Sequence, residues 1–347
     1  MIFVGDISLP FANAIRVVSL PNELQNKNWF GNLEGALVKG SSQLVKRLIV
    51  FNDEVAIRKL VEEFCFKGFA LANNHIFDCG SFEYTSNTLD EIRVPYCGAG
   101  RNLGDARKPL VIKDGGKEIA IINFGWEVIQ CKSAKATRAG VNPLTPLNIL
   151  NVLKETRSQY PYIPIVVFLH WNYELEAFPH PRERELARCL IDHGAAGIIG
   201  CHSHRIGGFE VYKGRPIVYS LGNWLFKQGF FYNGRISFPP FCRKEVAFEW
   251  DLLRGIFKFH FFEYNPENDE VRYVKTEGPD SPTMKSYTPF LRMTNQEYSN
   301  WYKEQRYHRN KGLPIYYSWN SPFNVKAKDW YNKIRDIVIR TAFKIIR

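Results

Sequence analysis

Two histidines at alternate positions, His202 and His204, follow directly on the apolar run 195–199. Side chains two apart share a face and a short loop beyond the strand lets both ring nitrogens converge, so both imidazoles can turn toward one point. Two ring nitrogens at one point are half a metal site. Structural zinc motifs supply cysteines in pairs and Cys201 stands alone here, so the remaining ligands must come from elsewhere in the chain. Asp6 follows the apolar residues 2–4, Glu34 follows 29–33, Asn74 and His75 follow 69–72, and His170 follows 163–169. Each taken singly reads as a cap or a turn residue. Asp6, Glu34, Asn74, His170, His202 and His204 together place metal-type side chains just past one short apolar strand after another, which points to a shared ligand-binding edge.

The elements that must carry these residues follow from periodicity. Helix spacing runs through 53–66 with Asp53 as N-cap, through about 82–92, 145–159 and 182–193, the last ended by Gly194. Residues 110–112 and 118–124 read as a hairpin turned by 114–116, and 163–169 as a buried strand. Strands alternating with helices predict an α/β fold whose ligands sit at the carboxyl ends of the strands. Gly98-Ala99-Gly100 lacks the fuller phosphate-cradle pattern and is assigned to a turn. Residues 125–141, with Lys132, Lys135 and Arg138 and with Lys108 nearby in sequence, read as a basic loop suited to a substrate rim.

At 347 residues, 45% of them hydrophobic, the chain can hold one large α/β domain plus an appendage. A formal net charge of +11 suits an anionic partner, or serves solubility. Seven cysteines without a repeating spacing argue against a disulfide framework and fit a reducing cytoplasm. With neither a basic leader nor an 18-residue apolar span, the chain is expected to be cytoplasmic. Residues 244–250 and 255–264 read as a further hairpin, and beyond about 274 the sequence becomes aromatic and basic. From residue 330 onward Trp330, Ile334, Ile337, Val338, Ile345 and Ile346 fall near one helical face. Seven basic and two acidic residues from Lys326 to the end make this a basic amphipathic helix, which either packs on its own domain or lies on an anionic membrane surface.

The blocks Gly5-Asp6, Asn32-Leu33-Glu34-Gly35, Asn73-Asn74-His75 with Asp78 and Gly80, His170-Trp171 with Glu174, Gly200 with His202 and His204, and Tyr219-Ser220-Leu221-Gly222-Asn223-Trp224 with Phe226 resemble the CapA family of bacterial capsule and poly-gamma-glutamate synthesis proteins over residues 1–230. The resemblance implies a calcineurin-like metallophosphoesterase domain, a four-layer αββα sandwich over 1–264, with 265–347 as a basic, aromatic extension. It implies two divalent ions, manganese, zinc or iron, about 4 Å apart. Glu34 would bridge them, Asp6 and His204 would complete one site, and Asn74, His170 and His202 the other. His75 would contact or protonate the reacting group, Asp78 would orient His75, and Glu174 would orient a ligand or touch substrate. Three positions depart from the pattern: Ser8 replaces a second histidine ligand and Glu34 a bridging aspartate of the broader superfamily, and Asn172 replaces a glycine usual in the family.

The implied function is metal-dependent hydrolysis or transfer on an anionic polymer or phosphate-ester precursor of a bacterial surface polymer. The alternative is a metal-binding accessory subunit of a synthase or export complex without chemistry. A peripheral contact at the inner face of the membrane is assigned to the C-terminal helix. Nucleic acid is not expected as a partner, because no regular basic and aromatic platform is present.

Overall fold

The computed structural model describes residues 1–40, 49–79 and 82–345, with side chains omitted for Arg340 and 342–345. Gly80, singled out above, lies outside the described residues, as do the side chains of Ile345 and Ile346.

Two sheets face one another. The larger is nine-stranded and contains β1 (Ile2–Ser8), β2 (Arg16–Val18), β3 (Asn28–Leu33), β4 (Cys65–Ala70), β5 (Tyr96–Cys97), β12 (Asn223–Phe226), β13 (Lys244–Asp251), β14 (Ile256–Asn265) and β15 (Glu270–Glu277). Its order is β2-β15-β14-β13-β1-β3-β4-β5, with β12 paired in parallel to β1. The second is six-stranded and contains β6 (Leu110–Asp114), β7 (Lys117–Gly125), β8 (Ile165–His170), β9 (Gly197–Cys201), β10 (Phe209–Tyr212) and β11 (Arg215–Val218), in the order β10-β11-β9-β8-β7-β6.

Strand alternation builds the layers. In β8, Val166 and Phe168 face the space between the sheets with Phe3, Phe30, Ile121, Ile199 and Phe248, while Ile165, Val167 and Leu169 face outward. That outer face is covered by α3 (Pro146–Gln159) and α4 (Pro181–Asp192) through Val152, Leu153, Leu186 and Leu190. On the far side of the larger sheet lie α1 (Glu54–Glu63) and α2 (Phe82–Glu91), which bury Ile57, Leu60 and Leu89. The result is the four-layer αββα sandwich.

Local chemistry explains the helix starts. Asp53 accepts from the amides of Val55 and Ala56, and Thr145 from that of Asn148. The turn between β6 and β7 has both Gly115 and Gly116 at positive φ, as a two-residue hairpin loop requires. Residues 99–100, expected to be only a turn, also pair with Gly140–Val141 inside the expected loop 125–141, and both glycines are needed for close packing, Gly100 against Asp105 and Ala106 and Gly140 against Ala134 and the Lys132 carbonyl. The boundary expected after residue 264 falls inside β14, where Tyr264 pairs with Val271 and Asn265 with Glu270 of β15, so the sheet runs on past it. Tyr298 and Tyr302 of α5 (Asn295–Gln305), together with Tyr316, are buried against α4, so the aromatic tail packs on the domain rather than beside it. The last helix, α6, spans Pro322–Ile345 and starts earlier than periodicity suggests.

A polar ladder crosses the larger sheet. Glu249 on β13 pairs with Lys27 and, at 3.0 Å, with His260 on β14, whose other ring nitrogen contacts Thr276 on β15 at 2.7 Å. Burial alone would raise the Glu249 carboxyl; hydrogen bonds from His260 and Lys27 outweigh it and hold it at about 2. A depressed carboxyl contributes stability above the unfolded-state value and loses it as pH falls through the folded one. Glu249→Gln is therefore expected to lose roughly 1–2 kcal/mol at neutral pH, discounted for partial solvent screening, with the difference closing between about pH 4.5 and 2. Urea titrations of both proteins across that range check this, and a difference independent of pH would exclude the ion pair as its source.

Candidate metal centre

β1, β3 and β4 run parallel, as do β7, β8 and β9, so their carboxyl ends share one edge of the sandwich. Asp6 reaches that edge through an irregularity. Val4 pairs with Gly31 and Asp6 with Asn32, so one extra residue, Gly5, bulges β1. The bulge returns Ile7 to the outer face shared by Ile2 and Val4 and leaves Asp6 on the other. Glu34 follows β3, Asn74 and His75 follow β4, His170 ends β8, and Cys201 ends β9 just before His202 and His204.

These side chains meet in two groups. Candidate ligand atoms of Asp6, His170 and Cys201 lie within 4.8 Å of one another, and those of Glu34, His202 and His204 do likewise. The groups interleave, because the His204 Nδ1 is 3.4 Å from Asp6 and the His170 and His202 ring centres are 4.6 Å apart. Asn74 joins through its Oδ1, 2.8 Å from the His170 Nε2. The sequence misses Cys201, whose Sγ is 3.2 Å from the His170 Nδ1; a solitary cysteine carries no spacing signal. It also places the two histidines in a short loop beyond the strand and has their rings converge because alternate positions share a face. The strand has ended by then, and His202 and His204 have φ of 97° and 56°, so a strained left-handed turn, not strand alternation, aims both rings inward.

Asparagines position the cluster. Asn32 Nδ2 donates to Asp6 Oδ1 at 2.8 Å, and Asn223 Oδ1 meets His204 Nδ1 at 2.9 Å. Asn73 Oδ1 accepts from the amides of Gly35 and His75, tying the turn after Glu34 to the turn that carries His75. That first turn needs glycine: Gly35 has φ of 92°, and a Cβ there would lie 2.4 Å from the Val50 carbonyl oxygen. Ser8 spends its hydroxyl on the Phe51 carbonyl at 3.1 Å and offers the cluster nothing. Asn172 has φ of 66° and braces the amide of Tyr173 with its own Oδ1, so asparagine supplies the left-handed conformation of the glycine it replaces.

His75 and Asp78 form a separate pair at the mouth. Asp78 Oδ2 lies 2.6 Å from His75 Nδ1, and His75 Nε2 is 3.8 Å from Glu34. Glu174 is exposed, yet near enough for its charge to act on Glu34. Its carbonyl oxygen is 2.6 Å from His308 Nε2, and Glu176 accepts from the amides of Tyr307 and His308, so residues 307–308 brace the loop after β8. Lys132 reaches the Phe77 carbonyl and Phe238 stacks on the His204 ring at 4.2 Å.

The electrostatics test whether a cation fits. Both Glu34 carboxylate oxygens are buried without a hydrogen-bond partner among the described residues, as is His202 Nδ1. Burial, reinforced by the charges of Asp6, Glu174 and Asp78, pushes the Glu34 carboxyl well up. Burial also raises Asp6 to about 7 against the hydrogen bonds from Asn32 and His202. It drives His170 and His202 far down and His204 to about 3, so these imidazoles are neutral with lone pairs available. A buried carboxylate without partners costs several kcal/mol, and a divalent cation among neutral imidazoles removes that penalty. The donor set fits a divalent transition metal.

The family profile described as Bacterial capsule synthesis protein PGA_cap matches residues 17–228, which contain the groups above except those of the first strand, Asp6 and Ser8 among them, Phe238 and the bracing residues 307–308. The PGA biosynthesis protein CapA of Bacillus subtilis (strain 168) is 33% identical over 205 residues, 57% of this chain and 53% of that protein. The capsule biosynthesis protein CapA of Bacillus anthracis is 33% identical over 176 residues, 49% of this chain and 43% of that one. The chain thus spans about half the length of these curated relatives. A 5'-nucleotidase precursor from Thermus thermophilus aligns at 15% identity and a TM-score of 0.43 over 80% of this chain and 53% of that one. With 17–228 matched, 212 of 347 residues, the chain belongs to the bacterial capsule synthesis protein PGA_cap family.

Proposed function

We propose that the chain is a metal-dependent hydrolase or transferase acting on a phosphate ester or anionic polymer in bacterial capsule or poly-gamma-glutamate synthesis. The observation that carries this reading is Glu34, a fully buried carboxylate with no hydrogen-bond partner among the described residues, ringed by neutral imidazoles beside an accessible histidine and aspartate pair. Asp6, Glu34, Asn74, His170, His202 and His204 would hold two divalent ions, with Cys201 as a further donor. Such ions supply polarisation of a phosphoryl oxygen and activation of water. The protein's own residues do the rest. Asp78 fixes the His75 ring through Nδ1, which leaves Nε2 facing the Glu34 side to pass a proton to a leaving oxygen. The net charge of +11 favours an anionic substrate.

The test is metal analysis of protein supplied with manganese or zinc, beside hydrolysis of bis(p-nitrophenyl) phosphate. Near two ions per chain are expected. His75→Ala is expected to keep its metal and lose roughly 100- to 1,000-fold in turnover, and Asp78→Asn about tenfold. A metal-loaded protein with no hydrolysis, or one indifferent to His75→Ala, makes the chain a metal-binding accessory subunit instead.

A further inference from the structure

Helix α6 is attached the wrong way round for a helix that serves only its own core. Its polar side faces the body: Asn332 is buried and donates to the hydroxyls of Tyr173 and Tyr316 at 2.9 and 3.0 Å, and Asp329 accepts from Tyr316 at 2.8 Å. Lys328 Nζ donates to the Ile315 carbonyl at 2.6 Å. Its apolar side faces out. Phe323, Trp330, Ile334, Ile337 and Val338 recur at helical spacing and are 81, 66, 40, 63 and 60% exposed. A packed amphipathic helix shows the reverse order, with the apolar stripe inward and the polar face outward.

Charge says what covers the stripe. At 100° per residue the exposed Lys326 lies along one margin, beside Lys333, which pairs with Glu127 at 3.0 Å, and Arg335 lies along the other. The sequence from Lys326 onward carries seven basic and two acidic residues. A second copy of the chain would bring the same lysine-edged face, setting like charges against one another. Anionic headgroups complement these margins while the aromatic and branched side chains enter the acyl boundary. Among the described residues no helix is long and apolar enough to cross a membrane, so the contact would be interfacial.

We propose that the outward face of α6 seats the protein on an anionic lipid surface, independently of what the metal centre does. The contact is fixed by Trp330, Ile334, Ile337 and Val338 as the embedded stripe and by Lys326 and Arg335 as its headgroup margins. The experiment is co-sedimentation of the full chain, with chelator present, on phosphatidylcholine vesicles with and without about 30% phosphatidylglycerol. Binding is expected only with the anionic lipid and should weaken in about 0.5 M salt. Trp330→Glu/Ile337→Glu should lower the partition at least about tenfold, with an unchanged circular dichroism spectrum. Lys326→Glu/Arg335→Glu should lower it by a similar factor without touching the apolar stripe. Equal binding of wild type and both variants, or no binding to anionic vesicles, overturns the proposal. So does a wild-type dimer in sedimentation equilibrium that Trp330→Glu/Ile337→Glu dissolves, because a second copy then covers the face.

Discussion

Glu34→Gln is expected to stabilise the metal-free protein and to abolish the stabilisation that metal confers. Neither Glu34 oxygen finds a hydrogen bond among the described residues, and ring nitrogens of His75 and His204 are 3.8 and 3.9 Å away. Burial first, then the charges of Asp6, Glu174 and Asp78, raise its carboxyl far above the ordinary value. A carboxyl raised in the folded state binds its proton more tightly there than in the unfolded chain. Stability is therefore lost as pH rises above the unfolded value, near 4.5. Asp6, raised to about 7, adds a loss of the same sign over its own window between 3.8 and about 7.

Glutamine keeps the shape and carries no charge, so in chelator the variant should match wild type near pH 5 and exceed it by about 2 kcal/mol at pH 8. Metal reverses the order. Wild type with cation at about a thousand times its dissociation constant is expected to gain roughly 4 kcal/mol, while the variant, lacking the Glu34 charge, should gain little. Thermal denaturation of both proteins at the two pH values, with chelator and with manganese, reads all four comparisons. A variant less stable than wild type in chelator at pH 8 would mean that the Glu34 oxygens find partners within the protein itself. Equal gains from metal in both proteins would remove Glu34 from the site.

What the sequence discloses here is order along the chain, and what it hides is contact across it. Parallel strands put their carboxyl ends on one edge, so a polar residue after each apolar run is enough to gather Asp6, Glu34, Asn74, His170, His202 and His204 without any knowledge of sheet order. Helix caps are equally legible because their hydrogen bonds span two or three residues, as at Asp53. Cys201 is hidden because its closeness to Asp6 depends on two sheets meeting, 195 residues apart in sequence. The left-handed turn at His202 and His204 is hidden because both are histidines, and nothing but the surrounding fold forces a non-glycine residue into that conformation. The brace from residues 307–308 to Glu176 joins positions more than 130 residues apart. Strand β15, next to the edge strand β2, escapes because its half-exposed residues lack a clean apolar alternation.

Gly5→Ala is expected to be among the most damaging single changes in the chain, although it adds only one methyl group. A Cβ at position 5 would lie 1.8 Å from the Gly222 carbonyl oxygen and 2.9 Å from its carbon, and both are backbone atoms that cannot rotate away. The same carbonyl accepts the Asp6 amide at 3.0 Å, so relieving the clash breaks that bond and parts β12 from β1 at the metal edge. The extra residue that turns Asp6 toward the cluster is Gly5 itself, so the bulge and the close approach are two requirements on one position. A loss of roughly 3–5 kcal/mol is expected, well above an ordinary surface substitution, with weakened metal binding in whatever fraction still folds. Gly278→Ala is the matched control: no atom lies within 4 Å of its added Cβ and its backbone is unstrained, so it should be neutral or gain up to about 1 kcal/mol. If urea titration finds the two variants alike, β1 and β12 have room to separate, and the edge that holds Asp6 is softer than its geometry implies.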